Sequence, residues 1–222
     1  MPDPLAGLHA IGETKASPTT YSILDRLKTI ATSLASLVAG TVLAAGTARI
    51  GTVSGVLKEV RVVTVIDGGL GAYLAKDVVG NEDCCSTTAT YMTFAAVTRA
   101  NGTYGYIVGA TLFNETENQA VQYDLHLFNA VPTGELRDNW PNTNPIKEDR
   151  AKYLGKIAFP STIANGATVA TTTQASPSTV GNLPMPFKTV TVDDIYGVLV
   201  TNTAYTPTAG DSIDITLIIE QY

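Results

Sequence analysis

A chain of 222 residues with 45% hydrophobic residues can build one good-sized domain with appendages, and only 15% charged residues suits short strands and many turns. The formal net charge of −6 argues against a surface that grips nucleic acid through its phosphates. No apolar run reaches the roughly 18 residues of a membrane span, so the expected partners are protein or carbohydrate, with no nucleic acid and no membrane.

Residues 1–20 read as an extended N-terminal arm. MPDPLAGLHAIGETKASP lacks the basic start and apolar core of a secretory signal, which points to synthesis in a cytoplasm. Its apolar residues Leu5, Leu8 and Ile11 suit an arm that lies in a groove on a partner. Ser17 followed by Pro18 supplies a helix-start signal.

Residues 21–40 read as an oligomerising helix. Within YSILDRLKTIATSLASLV, Ile23, Leu27, Ile30, Leu34 and Leu37 recur at alternating intervals of four and three, which predicts a narrow apolar seam of the coiled-coil kind. Such a seam has nothing in its own segment to bury it, so the helix needs copies of itself. It is short for a coil and does not choose between two strands and three. The alternative reading is a surface helix lying on the following domain. Gly40 and Thr41 mark the stop.

Residues 41–55 form a small-residue extended linker, with Gly46, Gly51 and Gly55 permitting close backbone approach. From Val56 to Tyr222 the period becomes two. VLKEVRVVTVI, AYLAKDVV, TYMTFAAVTR, YIVGATLF, AVQYDLHLFN, YLGKIAFP, ATVATTTQ, FKTVTVDDIYGVLVTNT and SIDITLIIEQY read as strands. The polar NETEN turn between YIVGATLF and AVQYDLHLFN predicts a hairpin, the firmest pairing in the chain. Residues 130–152, AVPTGELRDNWPNTNPIKEDRAK, form a long irregular stretch holding the sole tryptophan, Trp140. The expected fold is mainly β, a sandwich of two packed sheets in the jelly-roll manner.

Few residues invite catalysis. His9 lies in the arm, and His126 falls on the polar, outward positions of its strand. G-x-S-x-G, H-E-x-x-H and a phosphate-binding loop do not occur. Cys84 and Cys85 are sequence neighbours, a poor disulfide pair and too few ligands for zinc. Carboxylates that could serve a glycosidase are Asp193, Asp194, Asp124, Glu115 and Glu117, and each reads more simply as a solvated loop charge. No catalytic group, cofactor or metal is therefore expected. Ten tyrosines, several near strand edges, suit protein or sugar contacts. Trp140, between Asn139 and Pro141, is the expected partner anchor.

The helix YSILDRLKTI, the passage GTARIGTVSG, and a β domain carrying IVGATLFNETENQAVQYDLHLFN, LPMPF, DDIYGVLV and DITLIIEQY together resemble virion structural proteins of tailed bacteriophages, in particular capsid decoration (cement) proteins and head fibres. The resemblance spans most of residues 21–222 and rests on layout. It implies a jelly-roll-like domain, a homotrimer, and a seat on the capsid surface against the major capsid protein and other virion proteins. A tail or head fibre holding a host glycan near Trp140 is the alternative, and a carbohydrate-active enzyme is the reading from another class.

Overall fold

The computed structural model describes residues 26–32, 34, 55–66, 71–80, 91–117, 119–134, 136–166, 170–177 and 182–222. The chain divides into two units, Met1–Val53 and Ser54–Tyr222. In the first, residues 26–32 and 34 are helical, and every described side chain there is exposed. Leu27, Ile30 and Leu34 are 56%, 61% and 60% exposed, and their spacing sets them on one helix face. The outer seam residues Ile23 and Leu37, the arm residues Leu5, Leu8 and Ile11, and His9, Cys84 and Cys85 lie outside the described residues.

Among the described residues of the second unit, eleven strands form two antiparallel sheets, an arrangement compatible with a β-sandwich. The first sheet contains β1 (Val56–Val65), β4 (Tyr104–Asn114), β7 (Ile163–Ala164), β8 (Thr171–Ala175), β9 (Met185–Lys188) and β11 (Ser212–Gln221). Its order is β1-β11-β4-β8-β7, with β9 also on β4. The second contains β2 (Val78–Val79), β3 (Met92–Phe94), β5 (Tyr123–Phe128), β6 (Tyr153–Phe159) and β10 (Ile195–Thr201), in the order β2-β10-β5-β6 with β3 also on β10.

Alternation decides which side of each strand is buried. Along β11, Ile213, Ile215, Leu217 and Ile219 are fully buried while the residues between them are half-exposed. These side chains share one core with Ile107 and Leu112 of β4 and with Tyr123, Leu125, Leu127, Ile157 and Leu199 of the second sheet. Burial of this apolar area is the main force holding the two layers together. Packing is tight at Gly197, where a Cβ would come within 2.8 Å of the Phe94 ring and 3.0 Å of a Leu125 methyl.

The expected β4–β5 hairpin is not there. β4 pairs with β11, β8 and β9, and β5 pairs with β10 and β6, so the connection crosses from one sheet to the other. Asn114 anchors the crossing: its amide donates to the Tyr123 hydroxyl at 2.9 Å and its Oδ1 accepts from Thr116 N at 3.0 Å. Alternation reports the buried face of a strand and not its neighbour, so a crossing and a hairpin read alike.

Three expected strands are also cut short. AYLAKDVV keeps only β2 and TYMTFAAVTR only β3, with Lys76 and Ala96 at positive φ of 79° and 54°. FKTVTVDDIYGVLVTNT splits into β9 and β10. The break is set by the Thr189 hydroxyl, which accepts from Gly102 N at 3.1 Å, and by Asp194, whose Oδ1 accepts from Ala96 N at 2.8 Å.

Candidate functional site

The long stretch between β5 and β6 is a built layer. Phe128, Val198 and Val200 point to the outer side of the second sheet, and Leu136 covers them together with Val78, a second buried cluster flanked by half-buried Tyr153 and Tyr196. β5 is consequently buried on both faces apart from half-buried His126.

Backbone bonds lay this stretch alongside β2. Val78 N donates to Trp140 O at 2.8 Å, Asn139 N to Val78 O at 2.9 Å, and Asn142 N to Lys76 O at 2.8 Å. Two fully buried carboxylates then brace it. Asp138 accepts from the Tyr73 hydroxyl and from Gly80 N at 2.8 Å. Asp149, at the end of a single 3-10 turn, Lys147–Asp149, accepts from Thr133 N at 2.8 Å, the Thr133 hydroxyl at 2.8 Å, Gly134 N at 3.2 Å and Lys152 Nζ at 2.9 Å. Burial alone would raise the Asp149 pKa, but the bonds from Lys152, Thr133 and Gly134 prevail and hold it below the ordinary carboxylate value.

Asn139, at a positive φ of 55°, turns the chain so that Trp140 stands half out of the surface, 50% exposed. The Arg137 guanidinium lies over its ring, 5.1 Å from the centroid. An exposed indole on a braced backbone can meet a partner without first being ordered, which lowers the entropic cost of contact. Trp140, the expected partner anchor, is thus half exposed at the surface. The bracing residues Asp138, Asp149 and Leu136 escaped sequence reading. Their signal was an apolar residue and two acids inside a loop otherwise read as solvated.

A polar row crosses the outer side of β5 and β6. Asp124 Oδ2 accepts from Lys156 Nζ at 2.7 Å, and His126 Nδ1 lies 3.1 Å from the Tyr153 hydroxyl. Burial pushes the His126 pKa below its ordinary value, leaving the ring neutral at pH 7. For Asp124, burial is outweighed by bonds from Lys156 and Asn202, so its pKa is lowered. Asp124, 4% exposed, is therefore not the solvated charge its sequence position suggested, while His126 is half-buried on the outer side of its strand.

The other carboxylates do structural work or stand apart. Glu115 Oε2 accepts from Ser212 N at 2.8 Å, Asp193 takes Val97 N on its backbone oxygen at 2.7 Å, and Glu117 is exposed. No two of the five are joined by a hydrogen bond among those described. Among the described residues no three His, Cys, Asp or Glu side chains gather as metal ligands, and no helix is long and apolar enough to cross a membrane.

The described residues thus define a mainly β protein of two antiparallel sheets, with a braced aromatic loop on the outer side of one. No protein-family model matches the chain, and no curated protein matches it.

Proposed function

We propose that the chain is a non-enzymatic structural protein of a bacteriophage virion, a decoration or cement protein. It oligomerises through its N-terminal helix and stabilises contacts between capsid subunits on the head surface. The observation that carries this reading is the strand order. β1 lies on β11, β2 on β10, β4 on β8 and β5 on β6, so early strands pair with late ones in nested succession across two sheets. This nesting supports a jelly-roll reading, an architecture used by viral capsid domains and also by lectins and cupins.

Fold alone does not fix function. The virion reading adds the exposed Leu27, Ile30 and Leu34 on one helix face, a seam that three copies would bury. The partners are then other copies of the chain, the major capsid protein and neighbouring virion proteins. Weak contacts gain by repetition over many capsid sites, and no chemical step is involved.

Trp140 favours a second reading, a head or tail fibre that stacks the indole on a host glycan. Immunogold microscopy of virions from the source phage, with antibody raised against the purified chain, separates the two. Label spread over the head is the expected result, label confined to fibres or tail favours the second reading, and unlabelled virions overturn both.

A further inference from the structure

β1 is the edge strand of the first sheet. It pairs with β11 without a bulge from Val56↔Gln221 to Val65↔Ser212, and no described strand pairs with its other side. An open edge recruits other strands, so natural edges are commonly interrupted by proline, a bulge or shortness. VLKEVRVVTV has none of these in ten residues; the guards it does carry are charges, Lys58, Glu59 and Arg61, which admit a partner strand only where opposite charges meet. Its outward positions expose Leu57 at 67%, Val63 at 50% and Val65 at 54%.

We infer that β1 pairs antiparallel with β1 of a second copy, two-fold about Val60, joining two first sheets into one continuous sheet. Symmetry restricts the register. The two-fold axis stands perpendicular to the sheet and passes through a residue position, because only then do outward side chains meet outward ones. The outward set is Leu57, Glu59, Arg61, Val63 and Val65, alternating with less exposed Lys58, Val60, Val62 and Thr64.

Charge selects among the remaining registers. Centred on Glu59 or Arg61, that residue faces its own copy, like charge to like. Centred on Lys58 or Val62, both charges face glycine or apolar residues. Centred on Val60, Glu59 lies opposite Arg61 of the second copy, twice by symmetry, and Leu57 lies opposite Val63 on the same face. Opposite charges and apolar pairs across strands stabilise, and like charges destabilise.

Among the described residues, the bonds of Lys58 and Arg61 leave the seam clear. Lys58 turns into its own subunit, Nζ donating to Ala96 O at 2.6 Å. Arg61 Nε donates to Asp214 Oδ2 at 2.6 Å while its side chain stays 66% exposed, and a guanidinium has five N–H donors, enough for Asp214 and a carboxylate across the seam. An edge-to-edge strand contact is small and belongs to the transient class. In an oligomer built on the helix it would link one oligomer to the next. The inference does not depend on the virion reading.

The test is charge complementation in the full-length chain. Glu59→Arg places arginine opposite Arg61, and Arg61→Glu places glutamate opposite Glu59, so each variant alone self-associates about tenfold more weakly in sedimentation. Co-expressed, the two variants present opposite charges at both positions and associate as the unaltered chain does. Denaturation midpoints check that each variant folds. Independently, Leu57→Cys combined with Val63→Cys gives, on oxidation, disulfide-linked dimers above the level due to Cys84 and Cys85. Association unchanged by either reversal, mixed variants no stronger than each alone, or no additional disulfide-linked dimer overturns the inference.

Discussion

The hydroxyl of Tyr73 donates to both carboxylate oxygens of Asp138, at 2.7 and 2.9 Å, inside a wholly buried contact. Because Asp138 also takes Gly80 N, one carboxylate ties the segments before and after β2 to the base of the tryptophan loop. Tyr73→Phe removes a buried hydrogen bond and leaves Asp138 short of a donor, which should cost about 1–3 kcal/mol. The urea midpoint is expected to fall. Trp140, the only tryptophan, should report the loosened loop by a changed emission maximum in the folded state.

Acid should destabilise the fold in two stages. The folded chain holds the His126 proton more weakly than the unfolded chain, so stability declines as the pH drops below the ordinary value near 6.5 and levels off below the lower folded value. His126→Gln should flatten this first decline. Asp124 and Asp149, depressed in the folded state, keep their contribution above the ordinary value near 3.8 and lose it as the pH falls from there through their folded values. Urea midpoints measured from pH 7.5 to 3 test both stages, and a first decline that survives His126→Gln would refute its assignment to this ring.

Gly134→Ala should damage the loop without touching a core residue. A Cβ there would sit 2.5 Å from Asn144 Oδ1, the atom that accepts from Ile146 N at 3.1 Å. Asn144 must then move and surrender that bond, at a cost of about 1–3 kcal/mol. Unchanged thermal stability of the variant would show that the loop yields freely.

Trp140→Ala makes a contrasting case. With the ring half exposed, stability should change by less than about 0.5 kcal/mol, while attachment to the virion or to a glycan falls. Binding of labelled protein to stripped virions, beside binding to cells, gives the readout.

On the proposed helix-mediated assembly, Leu27→Ser with Leu34→Ser should lower the solution mass of the full-length chain, with the denaturation midpoint of the β unit unmoved. Light scattering reads the mass. An unaltered mass would remove the helix from the assembly.

Period two was enough to find β1, β4, β5, β6 and β11, because alternate burial such as that of Ile213, Ile215, Leu217 and Ile219 is written directly into residue order. Strand partners were not legible, as the β4–β5 connection demonstrates, since pairing is decided by which faces close the core over long sequence separations. The short ends of β2 and β3 depended on left-handed turns at Lys76 and Ala96, residue types that advertise no such conformation. In the loop, Trp140 stood out as a large apolar residue among polar ones. Asp138 and Asp149 did not, because an acid that satisfies backbone N–H groups inside a protein looks in sequence like any solvated acid.

The nested strand order also imposes a timetable on the cell. β11, which fills the gap between β1 and β4, is the last segment of the domain to leave the ribosome. Until it arrives, the first sheet lacks the strand that joins β1 to β4 and the row of Ile213, Ile215, Leu217 and Ile219 that seals the core. The core of this domain consequently cannot close until β11 has emerged, and removing β11 should leave the apolar faces of β4 and of the second sheet uncovered.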